Sequence, residues 1–132
     1  MERLLDCDCE PSQISPLTLA FVGDGVYDLM VREKLVCTAN RAVGVLNNEK
    51  VKMVCCQAQS ELYKRIEPLL TDEELAVYKR GRNAHTSHTP KNASVADYHS
   101  ATGFEALLGY IYLKGDLERL KSLFNIMTEE NF

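Results

Sequence analysis

One stretch, residues 15–35 with the sequence SPLTLAFVGDGVYDLMVREKL, constrains this chain more than any other. Ser15 suits the cap of a helix, whose first amides lack partners, and Pro16 suits its first position. Apolar side chains follow on almost every side (Leu17, Leu19, Phe21, Val22, Val26, Leu29, Met30, Val31), so this helix is expected to run through the core. Gly23-Asp24-Gly25 interrupts it. Each glycine costs about 1 kcal/mol against alanine in a helix interior, and a carboxylate in apolar surroundings is costly unless paired. A segment that breaks several local preferences together points to function.

A second stretch mirrors the first. Residues 101–113, ATGFEALLGYIYL, are apolar nearly all round, with one carboxylate, Glu105, among the small residues Gly103, Ala106 and Gly109. Small residues let helices approach closely, so Glu105 can be brought beside Asp24. Two readings stay open here. The acids meet at a divalent metal, or each is neutralised by a cation such as Arg32, Arg80 or Arg82.

A chain of 132 residues is expected to form one domain, residues 1–132, with a real core. No run approaches the length of a membrane span, and the acidic, cysteine-bearing start does not read as a signal peptide. The expected location is therefore the cytoplasm. Cys7, Cys9, Cys37, Cys55 and Cys56 are odd in number and lack the spacing of a disulfide framework or zinc site, so reduced and mostly buried thiols are expected. The net charge of −4 argues only mildly against nucleic acid, because the bases gather in the middle of the chain.

Residues 1–14 read as a loosely structured lead-in, and helices are expected over residues 16–36 and 46–66. The second is long, with Val51, Val54, Ala58, Leu62 and Tyr63 at helical spacing. Thr71 and Glu74 form a capping box that opens a helix to about residue 83. Ser94 caps a helix over residues 95–114, Gly115 stops it, and Asp116 caps a last helix over residues 117–128. No stretch alternates as a strand does. The fold class expected is all-α, with five to six helices.

Between these elements lies GRNAHTSHTPKNAS, residues 81–94, polar and long enough to suggest a binding loop. With its flank it gathers Lys79, Arg80, Arg82, Asn83, His85, His88, Lys91 and Asn92 without an acid. Such density suits phosphate oxygens and sugar hydroxyls, and the lack of interleaved aromatics suits a duplex backbone better than stacked single strands. A merely solvated loop is the alternative. His85, His88 and His99 are weak metal candidates on spacing alone.

Three motifs, FVGDGVYDL at residues 21–29, RGRNA at residues 80–84 and FEALLGY at residues 104–110, make the sequence resemble a ribonuclease III catalytic domain. More closely, it resembles the Mini-ribonuclease III family, which lacks a double-stranded-RNA-binding domain. The resemblance spans about residues 17–124 and implies a helical endonuclease domain that uses Mg²⁺ to hydrolyse double-stranded RNA, leaving a 5′-phosphate and a 3′-hydroxyl. By it, Asp24 and Glu105 are the catalytic, metal-binding acids. Arg80, Arg82, Asn83, His85, Lys91 and Asn92 are candidates for RNA contact, and Asp28 and Glu61 for supporting the acids. It also implies a homodimer, for which Leu17, Ala20 and Phe21 are candidate contacts, with no membrane partner. The RNA implied is the large-subunit (23S) ribosomal RNA precursor, alone or in a pre-ribosomal particle with ribosomal protein. The sequence departs from full-length ribonuclease III where further acids are expected: those positions hold Leu17, Ala20 and Thr102.

Two other functions compete. A catalytically silent RNA-binding scaffold of the same fold would keep the basic loop, but Asp24 and Glu105 would then be idle acids in apolar helices. An all-α, Mg²⁺-dependent nucleotide pyrophosphatase would want several acids one turn apart, for which only Asp24 and Asp28 are available, and Asp28 can equally pair with Arg32.

Overall fold

The computed structural model describes residues 3–84 and 94–129. Six α-helices make up the described chain: α1 (Pro16–Thr38), α2 (Val43–Val54), α3 (Cys56–Ile66), α4 (Asp72–Arg82), α5 (Val95–Leu113) and α6 (Leu117–Thr128), with single 3₁₀ turns at Pro11–Gln13 and Glu67–Leu69. No strand occurs among the described residues, so the chain is all-α.

Helix α5 is the hub, packed by α1, α3, α4 and α6. Over residues 101–111 every residue of α5 is buried except Glu105, which is half-buried. This explains its lack of an amphipathic face: a helix surrounded by others has no solvated side. Tyr27, Phe104, Leu107, Leu123 and Met127 lie at the centre of the main core, each fully shielded from solvent.

The helix ends follow local chemistry. The Thr71 hydroxyl accepts from the Glu74 amide at 3.1 Å, while the Glu74 carboxylate accepts from the Thr71 amide at 2.9 Å. Ser94 caps α5 and Asp116 caps α6. At the end of α5, Gly115 turns left-handed at φ 81°, and the Gly115 and Asp116 amides donate to Tyr112 and Ile111 carbonyls. That turn is the one place in the described chain where a left-handed backbone requires glycine. Ser15 departs from expectation: its hydroxyl donates to the Thr18 side chain at 2.8 Å and caps no amide.

The expected long helix over residues 46–66 is two helices. Cys55 is extended (φ −69°, ψ 156°), ending α2 and opening α3. The break carries no glycine or proline, and its freed carbonyls are satisfied from elsewhere. The Tyr27 hydroxyl donates to the Met53 carbonyl at 2.8 Å, and the Gln59 amide donates to the Val54 carbonyl at 2.9 Å. Tyr27 from α1 and the Gln59 side chain take the place of helical hydrogen bonds, which periodicity cannot register.

Two further expectations are corrected. All five cysteines are free but none is buried; Cys7, Cys37 and Cys55 are exposed. Part of the lead-in is also tied down, with the Leu4 amide donating to the Tyr112 hydroxyl at 2.7 Å.

Candidate active site

Helices α1 and α5 cross in direct backbone contact. A Cβ placed on Gly23 would lie 1.7 Å from the Glu105 carbonyl oxygen, and one on Gly109 would lie 2.1 Å from the Leu19 carbonyl oxygen. Only glycine fits at either point. Gly25, by contrast, has nothing within 4 Å of its would-be Cβ, and Gly103 faces Tyr78 of α4 instead of α1. Of the small residues noted in the sequence, Gly23 and Gly109 make the approach possible.

The crossing sets Asp24 beside Glu105. The two carboxyls lie within hydrogen-bond reach, and burial, followed by the Asp24 charge and that hydrogen bond, pushes Glu105 up to about 8. Asp24 itself is exposed and Glu105 half-buried, so the pair sits at the rim of the core with one side open. Among the described residues no arginine or lysine pairs with either acid. The cations named as alternatives are placed elsewhere. Arg32 bonds Asp28, Arg82 lies with its guanidinium 5.7 Å from the Tyr78 ring centroid, and Arg80 is exposed.

A third group completes the site. Gln59 of α3 is 2% exposed, and its Nε2 donates to the Val54 carbonyl at 2.9 Å and to Glu105 Oε2 at 3.4 Å. Its Oε1 is buried with no partner among the described residues. Sequence reasoning missed this residue. The signal was there, since positions 59, 62, 63 and 66 form one helical stripe in which only Gln59 is strongly polar.

Two acids sharing a site without a countercharge, with a buried unsatisfied oxygen nearby, fit a divalent cation chemically: oxygen donors and negative charge suit a hard ion. Among the described residues no cluster of three or more His, Cys, Asp or Glu forms. Protein ligands here are therefore few, leaving positions for water or phosphate.

The ribonuclease III domain model matches residues 17–116. The chain is 49% identical over 116 residues to a Mini-ribonuclease 3 of Thermoanaerobacter sp. (strain X514), covering 88% of this chain and 82% of that relative. It is 42% identical over 113 residues to the Mini-ribonuclease 3 of Symbiobacterium thermophilum, covering 86% and 87%. The chain belongs to the Mini-ribonuclease 3 family. Its fold also matches the crystal structure of a protein from Fusobacterium nucleatum with a TM-score of 0.83 and 31% identity, covering 91% of this chain and 96% of that one.

The remaining predicted residues of this Mini-ribonuclease 3 chain divide into three groups. Some are engaged away from the acids: Asp28 is held by Arg32 and, at 3.6 Å, by Lys50, and Glu61 is exposed and accepts from Gln57 at 3.4 Å. The side chains that reach Glu105 among the described residues are Asp24 and Gln59. Others form a basic edge at the end of α4, where Arg80 and Asn83 are exposed and the half-buried Arg82 donates from Nε to Asn83 Oδ1 at 3.3 Å. His85, Lys91 and Asn92, together with His88, lie outside the described residues. His99, the third weak metal candidate, is half-buried with its ring against Tyr98.

Of the candidate dimer contacts, Phe21 is 81% exposed and Leu17 43% exposed, whereas Ala20 is buried inside the subunit. Its methyl packs in a cluster with Leu19, Val77, Ala106 and Tyr110 and is not available to a partner. Thr102, which stands where longer ribonucleases III carry an acid, is buried and donates to the Tyr98 carbonyl at 3.0 Å. It is turned into its own helix.

Proposed function

We propose that this chain cuts the backbone of double-stranded RNA by hydrolysis at Asp24 and Glu105, with Mg²⁺ as the cation. Membership of the Mini-ribonuclease 3 family supports the endoribonuclease activity on duplex RNA. The observation that carries the assignment of residues is the pairing of two carboxyls from separate helices, with no cation of the described chain neutralising them. When bound, a divalent cation supplies a Lewis acid for a phosphate oxygen and a more acidic bound water.

The chain's own residues do the rest. Asp24, on the open side, and Glu105, on the buried side, place oxygens of two helices at one point. Glu105 must release its proton to ligate, and Gln59 favours that by donating to its charged form. Arg80 and Arg82 hold phosphates, which positions a duplex without reading its sequence. Arg82 comes to this task oriented, because its guanidinium lies over Tyr78, whose ring stacks on Tyr63 with centroids 3.8 Å apart.

Phe21 and Leu17 leave apolar area that a single copy does not bury. They form the contact of a homodimer, the usual state of ribonuclease III enzymes. The substrate is the 23S ribosomal RNA precursor, free or in a pre-ribosomal particle, which makes the enzyme cytoplasmic. No helix among the described residues is long and apolar enough to cross a membrane.

The test offers duplex RNA, single-stranded RNA and nucleoside triphosphates to the wild-type and Asp24→Asn proteins, with and without Mg²⁺. Cleavage of the duplex alone, dependent on Mg²⁺ and lost in the variant while RNA binding persists, is expected. Triphosphate hydrolysis would select the pyrophosphatase reading, and binding without any cleavage by the wild type would select the silent scaffold.

A further inference from the structure

The amide of Gln59 is the least expected group at the site. A glutamine side chain loses rotamer freedom and hydration when buried, and such groups are retained where their hydrogen bonds are specific. Its orientation is fixed by its neighbours. The Val54 carbonyl accepts only, so the atom 2.9 Å away must be the amine side, Nε2. The same Nε2 reaches Glu105 Oε2 at 3.4 Å, and the opposite atom, Oε1, is left buried without a partner among the described residues.

Gln59 owes this position to the α2–α3 break. Were residues 46–66 one helix, the Val54 carbonyl would be bonded within it. The extended Cys55 frees that carbonyl, and the Gln59 amide spans from it to the acid. One side chain thus couples the end of α2 to a carboxyl on α5.

We infer that Gln59 is a positioning residue that holds Glu105 as a one-oxygen ligand and thereby sets the site's preference for a small cation. With a donor on Oε2, the carboxylate is biased against gripping an ion through both oxygens. Mg²⁺ demands near-octahedral geometry and takes few protein oxygens, whereas Ca²⁺ accepts carboxylates through one or both. Groups that orient a ligand from behind typically change metal affinity about 10- to 100-fold. The inference rests on the metal reading of Asp24 and Glu105 given above.

The test uses the RNA-free protein and needs no cleavage. Mg²⁺ and Ca²⁺ dissociation constants are measured for wild type, Gln59→Met and Asp24→Asn by the rise in melting temperature with ion concentration. Gln59→Met keeps the volume and removes the donor. The Mg²⁺ constant should rise about 10- to 100-fold and the Ca²⁺ constant by less, so that the preference for Mg²⁺ narrows. A folded Gln59→Met protein with both wild-type constants would overturn the inference, even if its ion-free melting temperature had dropped. Should the variant not fold, the wild-type side-chain amide resonance decides. Movement of that resonance with saturating Mg²⁺ supports the inference, and its staying fixed while the signals of α1 and α5 move overturns it. If wild type and Asp24→Asn are equally indifferent to both ions, the metal reading itself fails and takes this inference with it.

Discussion

Tyr27 and Phe104 meet edge to face, ring centroids 5.2 Å apart, in the centre of the core. Tyr27 lies one helical turn after Asp24, and Phe104 immediately precedes Glu105. Their packing therefore locks the rotation of α1 against α5 that aims both acids the same way. The Tyr27 hydroxyl, donated to the Met53 carbonyl, extends that lock to α2.

The crossing itself hangs on Gly23. Replacing it by alanine puts a methyl into the Glu105 carbonyl, and neither backbone can yield without parting the helices. Gly23→Ala should lose about 3 kcal/mol or more of stability, at or beyond the top of the usual range for core overpacking. Gly25→Ala meets open space and should instead gain about 0.5–1 kcal/mol from the helix preference for alanine. Paired thermal melts of the two variants check this, and equal shifts would contradict it.

Stability should depend on pH through Glu105. Its carboxyl is raised from an ordinary 4.5 to about 8, by burial and then by Asp24. A raised carboxyl favours folding while protonated in the folded state, so the gain is complete below about 4.5 and fades as pH rises through about 8. The metal-free protein should lose melting temperature across that window, and Glu105→Gln should lose much less. Adding Mg²⁺ should restore the wild type at the alkaline end and leave the variant unchanged.

Arg82 separates charge from shape. Arg82→Ala should weaken duplex binding for every RNA sequence and reduce the slope of log affinity against log salt by about one. Arg82→Lys keeps the charge but cannot lie flat on Tyr78, so it should keep most of the salt slope while losing affinity. Filter binding over a range of salt distinguishes the two.

Phe21 offers the sharpest view of self-association. Its ring is 81% exposed and contributes little to the subunit's own core. Phe21→Asp should leave the helical circular-dichroism signal intact and shift the sedimentation coefficient to that of a monomer. A variant that still sediments as a dimer would remove Phe21 from the contact.

Much of this could be read from the residues. The helix of residues 16–36, the capping box at Thr71, the stop at Gly115 and the pairing of Asp24 with Glu105 all rest on local chemistry or on ordered motifs. What escaped depended on partners distant in the chain. Neither glycine nor proline marks the break at Cys55, and the Met53 carbonyl there is met by Tyr27, far back in α1. The pairing of Asp28 with Arg32, one turn on, was legible, but Lys50 joins it from α2, which no local spacing shows. Ala20 and Phe21 are neighbours in sequence, yet the helix turns one inward and the other outward.

The extended residue at 55 also decides where this chain can tolerate a change of length. An extra residue between Ala39 and Ala42 would fall in an exposed connection that merely bows outward. One inserted between Gln59 and Leu62 would swing the amide about 100° around α3, off the buried stripe of Leu62, Tyr63 and Ile66. It would then face away from Glu105 while the rest of the bundle still closed.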